Sequence, residues 1–506
     1  MVLKAQIASQ NIWWKHGTDF EHFDKDLSSL ERARLKFQRK TIQFSAGNIY
    51  TIRGPRRVGK TVWMKMMILG LLKKQGISPN QVFYFSCDSL PSRSREQLGR
   101  VIAFFNEIAT EFPVSYIFLD EITYILDWET ALKSLVDAGK LARSAVVVSG
   151  SSPSQIKKKT EFLPGRGVEG NEYLFKPITF RDFVLTISRN GAALFFTKEL
   201  EKINSINKLW NVLNNIQFTL YESQREFRKK CNKIYPYIEE LNLLFNAYIR
   251  TGGFPSVINN YLNNVAAGKK SIDDNIYEET INAILGEISK VGKSEEIARQ
   301  ILNAITRRLG SRYSFSALAR DIGEGITHPT LIDYVSVLED GFIVQLLPSY
   351  DFKKGGESIK GDKKIYPIDP IILYALNSKF FGKPGFEMTN ELLMNEENEA
   401  NIIEGMVVTH TARTKEIPKM KEPKSFLSFA YTSQKEVDLL VRRKDDKFLG
   451  IEVKYQASLS PREIFQHSAF CWRIVVTREN FDMQGDMIFV PASIFLAGLS
   501  TSERNL

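Results

Sequence analysis

The run Gly54-Pro-Arg-Arg-Val-Gly-Lys-Thr61 constrains this chain more than any other feature. Ahead of it stands a strand-like stretch, Asn48-Ile-Tyr-Thr-Ile-Arg53, and behind it the apolar, helical run Val62 to Leu72. Strand, tight glycine loop and helix N-terminus together aim a row of backbone N–H groups at one point, which suits a phosphate chain. Gly54, Arg57, Gly59, Lys60, Thr61 and Val62 are therefore the expected nucleotide-binding residues. Lys60 would reach the β- and γ-phosphates, and the Thr61 hydroxyl would hold Mg²⁺. The context predicts binding of a nucleoside triphosphate, taken as ATP.

A second element fits the first. Val114-Ser-Tyr-Ile-Phe-Leu-Asp-Glu-Ile122 is an apolar strand ending in two carboxylates. Asp120 at the tip is placed to hold Mg²⁺, and Glu121 to orient the attacking water. The next strand, Ala145-Val-Val-Val-Ser149, leads into Gly150-Ser-Ser152, so Ser149 and Ser151 are candidates to meet the γ-phosphate or the water. Ser151 or Ser152 as a helix cap is the competing role.

Over 506 residues the chain has room for several domains. Residues 1–40 form a polar lead-in whose Trp13 and Trp14 suit packing more than base stacking. Residues 41–185 alternate β-branched runs with amphipathic ones, with strands expected at Asn48–Arg53, Gln81–Phe85, Ser115–Leu119 and Ala145–Ser149, the pattern of a parallel α/β sheet. Residues 186–290 are helical, broken at Gly252-Gly-Phe-Pro255. Residues 291–375 carry three helices and a β-ribbon, and a second α/β unit occupies 390–506. Three widely spaced cysteines, Cys87, Cys231 and Cys471, favour a reducing compartment over a disulfide framework or zinc site. No apolar run approaches the roughly 20 residues that span a bilayer, and the expected location is the cytoplasm. The net charge of +10 suits a polyanionic partner. It gathers at Lys157–Lys159, Arg225–Lys230, Arg307-Arg308, Lys353-Lys354 and Lys363-Lys364.

Taken as a set, GPRRVGKT, FLDEI followed by Trp128, SGSS, Leu163-Pro-Gly-Arg-Gly167 and Pro177-Ile-Thr-Phe-Arg-Asp-Phe183 resemble the archaeal-type family of AAA-superfamily P-loop ATPases, also found in bacteria. The resemblance runs from about residue 10 almost to the C-terminus. It implies that Arg166, in the matching Gly165-Arg166, is an arginine finger for its own or a neighbouring nucleotide. A structural salt bridge is the alternative. A finger acting in trans implies a homo-oligomer, such as a ring.

In 291–375 the spacing is that of a helix-turn-helix. An amphipathic helix over Ser294–Leu309 precedes helices at Phe315–Gly323 and Thr327–Leu338, and Phe342–Leu347 with Lys364–Pro367 supply wing strands. The family's corresponding segment is also read as a winged helix. Asp333 and Glu339 suit its second helix poorly to a major groove. Arg307, Arg308, Arg312, Lys353 and Lys354 suit phosphates better, so DNA binding is expected to be sequence-independent. A packing module between protomers or domains remains the other reading.

Gln434-Lys-Glu-Val-Asp-Leu-Leu-Val441 and Phe448-Leu-Gly-Ile-Glu-Val-Lys454 are two strands joined by a polar turn. Alternation sends Glu452 and Lys454 to one face, near Asp438 on the neighbouring strand. Glu404, on a helix over Asn398–Ala412, would complete a site for one or two Mg²⁺ or Mn²⁺ ions that activates water. With a helix at Ser460–Ala469 and a strand at Arg473–Thr477, this order resembles the PD-(D/E)XK nuclease core. That likeness implies catalytic roles for Asp438, Glu452 and Lys454 beside the helical acid Glu404. No proline precedes Asp438, and solvated alternation would write a similar pattern.

The expectation is thus a multidomain α/β protein: an AAA-like P-loop ATPase, a helical segment with a winged helix, and a C-terminal PD-(D/E)XK-like domain. It would hydrolyse ATP to remodel, move along or process DNA, with no membrane partner and with metal-dependent cleavage an open question. The alternative is an oligomerising ATP-dependent signalling switch whose later domains bind proteins.

Overall fold

The computed structural model describes residues 2–150, 170–191, 200–323, 325–358, 361–415, 426–433, 435–443, 445–455 and 464–500. The chain forms two compact units, one up to Lys176 and the other from Pro177 onward.

The first unit is built on five strands: β1 (Ile49–Arg53), β2 (Val82–Ser86), β3 (Ser115–Asp120), β4 (Ser144–Gly150) and β5 (Glu172–Leu174). All pair in parallel, in the order β2-β3-β4-β1-β5. Near-continuous apolar strands are what a sheet covered on both faces requires. Phe83, Phe85, Ile117, Leu119, Val146 and Val148 enter the core on one face. Val82, Tyr84, Tyr116, Phe118, Ala145 and Val147 alternate with them into the other. β4 lies between the glycine-loop strand β1 and the carboxylate strand β3. All three therefore end at one edge, where open α/β sheets bind ligands.

The lead-in belongs to this unit. Trp13, Phe20 and Leu27 are buried with Trp63 and Met64 of the helix Lys60–Gln75. Its polar side chains also complete β2, the strand at the sheet margin. Asn11 accepts from Tyr84 N at 2.7 Å and donates to Tyr84 O at 2.9 Å, and Gln10 accepts from Ser86 N at 2.7 Å. The indoles of Trp13 and Trp14 donate to Val82 O at 2.9 and 3.1 Å. An exposed ladder edge would otherwise be open to pairing with another chain.

In the second unit, helices Phe180–Asn190 through Asp274–Lys290 lead to Glu295–Arg307, Phe315–Ile322 and His328–Asp340. Four short strands follow: β6 (Val344–Pro348), β7 (Tyr350–Asp351), β8 (Gly356–Glu357) and β9 (Lys363–Pro367). β6 pairs antiparallel with β9, and β7 with β8. The segment Pro177–Phe183 starts this unit, with buried Arg181 donating to Ile216 O and Ala497 O.

After helices Pro370–Phe381, Gly385–Met394 and Glu396–Thr411 comes a six-stranded sheet. Its strands are β10 (Leu427–Tyr431), β11 (Glu436–Arg442), β12 (Phe448–Lys454), β13 (Phe470–Thr477), β14 (Asp482–Gln484) and β15 (Met487–Pro491). The order is β10-β11-β12-β13-β15-β14, antiparallel from β10 to β12 and parallel through β12-β13-β15. The helix expected at Ser460–Ala469 lies partly outside the described residues. Residues 464–469 form bends and turns, so that expectation is corrected there. Among the described residues no helix is long and apolar enough to cross a membrane.

Candidate functional site

Two glycines shape the loop after β1. A Cβ on Gly54 would come 2.0 Å from the Phe175 carbonyl oxygen, and Gly59 takes φ +95° as it caps the helix Lys60–Gln75. Arg57 also adopts a positive φ, 66°, with its side chain exposed. Lys60 is buried, its ammonium donating to Gly54 O and Pro55 O at 2.9 Å each. Thr61 Oγ1 donates to Asp120 Oδ2 at 2.6 Å, so the two residues expected to share Mg²⁺ meet directly. Val62 follows in the first helical turn, half-buried.

Asp120 is nearly saturated with donors. Tyr84 OH reaches the same Oδ2 at 2.9 Å, while Ser149 Oγ and the Glu121 N–H reach Oδ1. Ser149 was expected at the γ-phosphate or the water. It is fully buried, donates to Asp120 Oδ1 and accepts from Glu121 N at 3.2 Å. Glu121 sits at φ +48°, a strained left-handed position for a glutamate, at the start of the short turn Ile122–Tyr124. Arg166, Ser151 and Ser152 lie outside the described residues.

Sequence reading missed a supporting layer. Lys65, one turn after Thr61, is buried with Nζ 3.1 Å from Asp24 Oδ2 and 4.0 Å from the centre of the Tyr84 ring. Burial first, then the Asp120 charge, push the Tyr84 hydroxyl well above its usual range, so it stays a donor. Asp24, Lys65, Tyr84, Thr61, Asp120 and Glu121 line one cavity of about 680 Å³. The loop, the helix N-terminus and the Thr61–Asp120 contact fit a nucleotide with Mg²⁺.

The C-terminal candidates also come together. Val453 N donates to Asp438 Oδ2 at 2.8 Å, and Phe465 N to Glu452 Oε1 at 2.7 Å. Lys454 Nζ lies 3.7 Å from Glu452 Oε2. Glu404, on the helix Glu396–Thr411, accepts from Lys364 Nζ at 2.7 Å and from Tyr366 OH. Lys364 also pairs with Asp438 Oδ1 at 3.4 Å and with Glu436. Lys364 was expected in a basic cluster with Lys363 and at the start of a wing strand; it lies on β9, and both lysines are buried. Period-two alternation in Lys363-Lys-Ile-Tyr-Pro367 was the available signal, since it puts Lys364 and Tyr366 on one strand face.

Burial and the neighbouring Asp438 push the carboxyl of Glu404 up to about 7 and that of Glu452 up to about 8. Burial opposes charge on Lys364, but Tyr366, Glu404, Asp438 and Glu436 outweigh it and hold its ammonium well above the usual range. Among the described residues no group of three or more His, Cys, Asp or Glu side chains is placed to hold a metal ion. With an ammonium between its acids, the C-terminal cluster does not fit a divalent cation.

Of the other expected phosphate contacts, Arg308 pairs with Asp321, and Arg312 with Glu436 at 3.2 Å. Arg307, Lys353 and Lys354 are exposed.

Residues 46–184 match the family model described as "AAA domain", past the boundary between the units, and residues 242–382 match a domain of unknown function. No curated protein matches the sequence. Among solved structures, the ORC2 protein of Aeropyrum pernix in its ADPNP–ADP complexes is 11% identical, at a TM-score of 0.34, over 66% of this chain and 89% of that one. Cdc6p of Pyrobaculum aerophilum is 14% identical, at 0.25, over 74% and 95%. A RuvB variant of Thermotoga maritima is 15% identical, at 0.26, over 59% and 81%. Such scores carry no argument about the whole chain. The matched domain and the motifs gathered at its sheet edge do: the chain carries a P-loop ATPase domain of the AAA superfamily.

Proposed function

We propose that this protein hydrolyses ATP to remodel, move along or process DNA, gripping the phosphate backbone with little regard to sequence. Lys60 would hold the phosphates, Thr61 and Asp120 the Mg²⁺, and Glu121 the attacking water, with Ser149 and Tyr84 fixing Asp120. The bound Mg²⁺ would neutralise charge on the phosphates. Arg166 would act as a finger within a homo-oligomer.

The observation that carries the DNA reading is one helix face. The helix Gln224–Ile234 buries Phe227, Cys231 and Ile234 and leaves Arg225, Arg228, Lys229 and Lys233 exposed. Such a row suits phosphate contacts that release counterions. The three-helix segment with its β6–β9 ribbon would be a winged helix, and the β10–β15 sheet a nuclease-like domain.

One observation favours the switch reading. The helix His328–Asp340 exposes Ile332 and Asp333 and no lysine or arginine, a face better suited to protein than to a DNA groove. ATP hydrolysis measured with and without duplex, single-stranded and branched DNA separates the two. Stimulation that disappears in Arg225→Glu/Lys229→Glu supports the DNA reading. A rate indifferent to every DNA, with no shift of labelled DNA in a gel, hands the lead to the switch.

A further inference from the structure

The carboxylates expected to hold a divalent cation in the second unit are already compensated from within the chain. Lys364 is 1% exposed. Its ammonium reaches Glu404, on the helix Glu396–Thr411, together with Glu436 and Asp438 of β11. Most remaining acceptor positions are also taken. Tyr366 OH donates to Glu404, Val453 N to Asp438 Oδ2, and Phe465 N to Glu452 Oε1. Glu452 Oε2 accepts no hydrogen bond among the described residues and has Lys454 Nζ 3.7 Å away.

A hard divalent ion needs several oxygens converging at about 2.0–2.1 Å for Mg²⁺, usually with waters on its open side. An ammonium has three diverging N–H bonds, meets carboxylates at hydrogen-bond distance and needs no open side. The second arrangement is the one present.

We infer that Lys364 is a built-in cation standing in place of a metal, so that this sheet keeps a nuclease-like placement of acids while binding no divalent ion and cleaving no phosphodiester. The lysine is not a loose cover. Withdrawing it would leave Glu404, Glu436 and Asp438 together, buried or half-buried, without their shared countercharge. Any role of this unit on a polyanion is then to hold it. The inference goes beyond the DNA reading and does not depend on it, because metal binding alone reads it out.

The test is a Mn²⁺ titration of the full chain without nucleotide, with free Mn²⁺ followed by electron paramagnetic resonance. An Asp120→Asn background silences the P-loop position. With Lys364 in place, no bound Mn²⁺ should depend on Asp438. Lys364→Met should create one site binding Mn²⁺ at least tenfold more tightly, lost again on adding Asp438→Asn. Should Lys364→Met not fold, Lys364→Gln with Glu436→Gln relieves the charge and opens the same position. Asp438-dependent Mn²⁺ binding, or Asp438-dependent cleavage of labelled duplex, in the chain that retains Lys364 overturns the inference. So does a folded lysine variant that binds no Mn²⁺.

Discussion

The two carboxylate centres of this chain use the same residue types and differ in what restrains them. At the P-loop, Asp120 is held by hydroxyls and one backbone N–H, and the Lys60 ammonium rests on two neutral carbonyls. In the second unit, Asp438 and Glu404 are held by a lysine whose ion-pair partners are all carboxylates. A neutral hydrogen bond is worth about 0.5–1.5 kcal/mol net, whereas stripping one member from a buried ion cluster costs about 3–5. Lys60 can therefore exchange its carbonyls for an incoming phosphate at small cost, while Lys364 has no comparable exchange available. A group poised for ligand and a group sealed against one are told apart by the charge of what they touch.

The largest expected effects lie at the first centre. Lys60→Ala should remove the phosphate contact and lower ATP hydrolysis by about 10²–10³-fold or more, read as phosphate release. Loss of its hydrogen bonds to Gly54 O and Pro55 O should cost about 1–3 kcal/mol in urea unfolding. Glu121→Gln should match it in rate yet still bind ATP, measurable with a fluorescent nucleotide. Normal turnover in Glu121→Gln would remove that residue from the water-orienting role.

Lys364→Ala should reverse the pattern. Hydrolysis should persist, while the second unit loses about 3–5 kcal/mol in urea unfolding because its acids lose their shared cation. An additional Glu404→Gln should restore part of that loss, as an uncharged neighbour needs no countercharge. A Lys364→Ala chain as stable as the parent would erase the contrast between the centres.

How well each centre could be read from sequence follows the same division. The P-loop, β1 to β4 and the Asp120-Glu121 pair were legible because phosphate binding and a doubly covered sheet impose local patterns. β5 was not, being three residues long. Nor was the closing of the sheet margin by Gln10, Asn11 and the two tryptophans, whose partners lie 68–76 residues downstream. Ser149 was legible as a serine at a strand tip, but its bonds to Asp120 and Glu121 were not, because sequence does not show how a hydroxyl is satisfied. Lys364 illustrates the limit most clearly. Beside Lys363 it looks like surface charge, and its partners Glu404 and Asp438 lie 40 and 74 residues away.

Asp369 sharpens the comparison by showing a buried carboxylate with no lysine on it. It accepts from Gly253 N at 2.8 Å and from Ile371 N at 3.2 Å, tying the Gly252-Gly253 break to the helix Pro370–Phe381. Burial, opposed by the Gly253 N–H, the Arg413 charge and the Ile371 N–H, raises its carboxyl from 3.8 to about 6. The folded chain therefore holds this proton more tightly than the unfolded one. The associated stability is complete below about pH 4 and is lost as pH climbs to about 6. Asp369→Asn cannot titrate, so its urea stability should fall less between those limits, by on the order of 3 kcal/mol. Parallel profiles for the two chains would assign the pH dependence elsewhere.

The smallest effect tests whether the hydroxyl cage at the first centre is individually weak, as the contrast requires. Tyr84→Phe keeps the ring under Lys65 and removes only the donor to Asp120 Oδ2, which retains Thr61. The expected cost is about 1 kcal/mol of stability. Because Asp120 is then less firmly aimed, half-maximal hydrolysis should need a few-fold more Mg²⁺, with the rate at saturating Mg²⁺ nearly unchanged. A loss as deep as that of Lys60→Ala would mean that Tyr84 acts on the reacting phosphate itself. No change at all in the Mg²⁺ requirement would mean that Thr61 and Ser149 suffice to set Asp120, leaving the tyrosine as packing for Lys65.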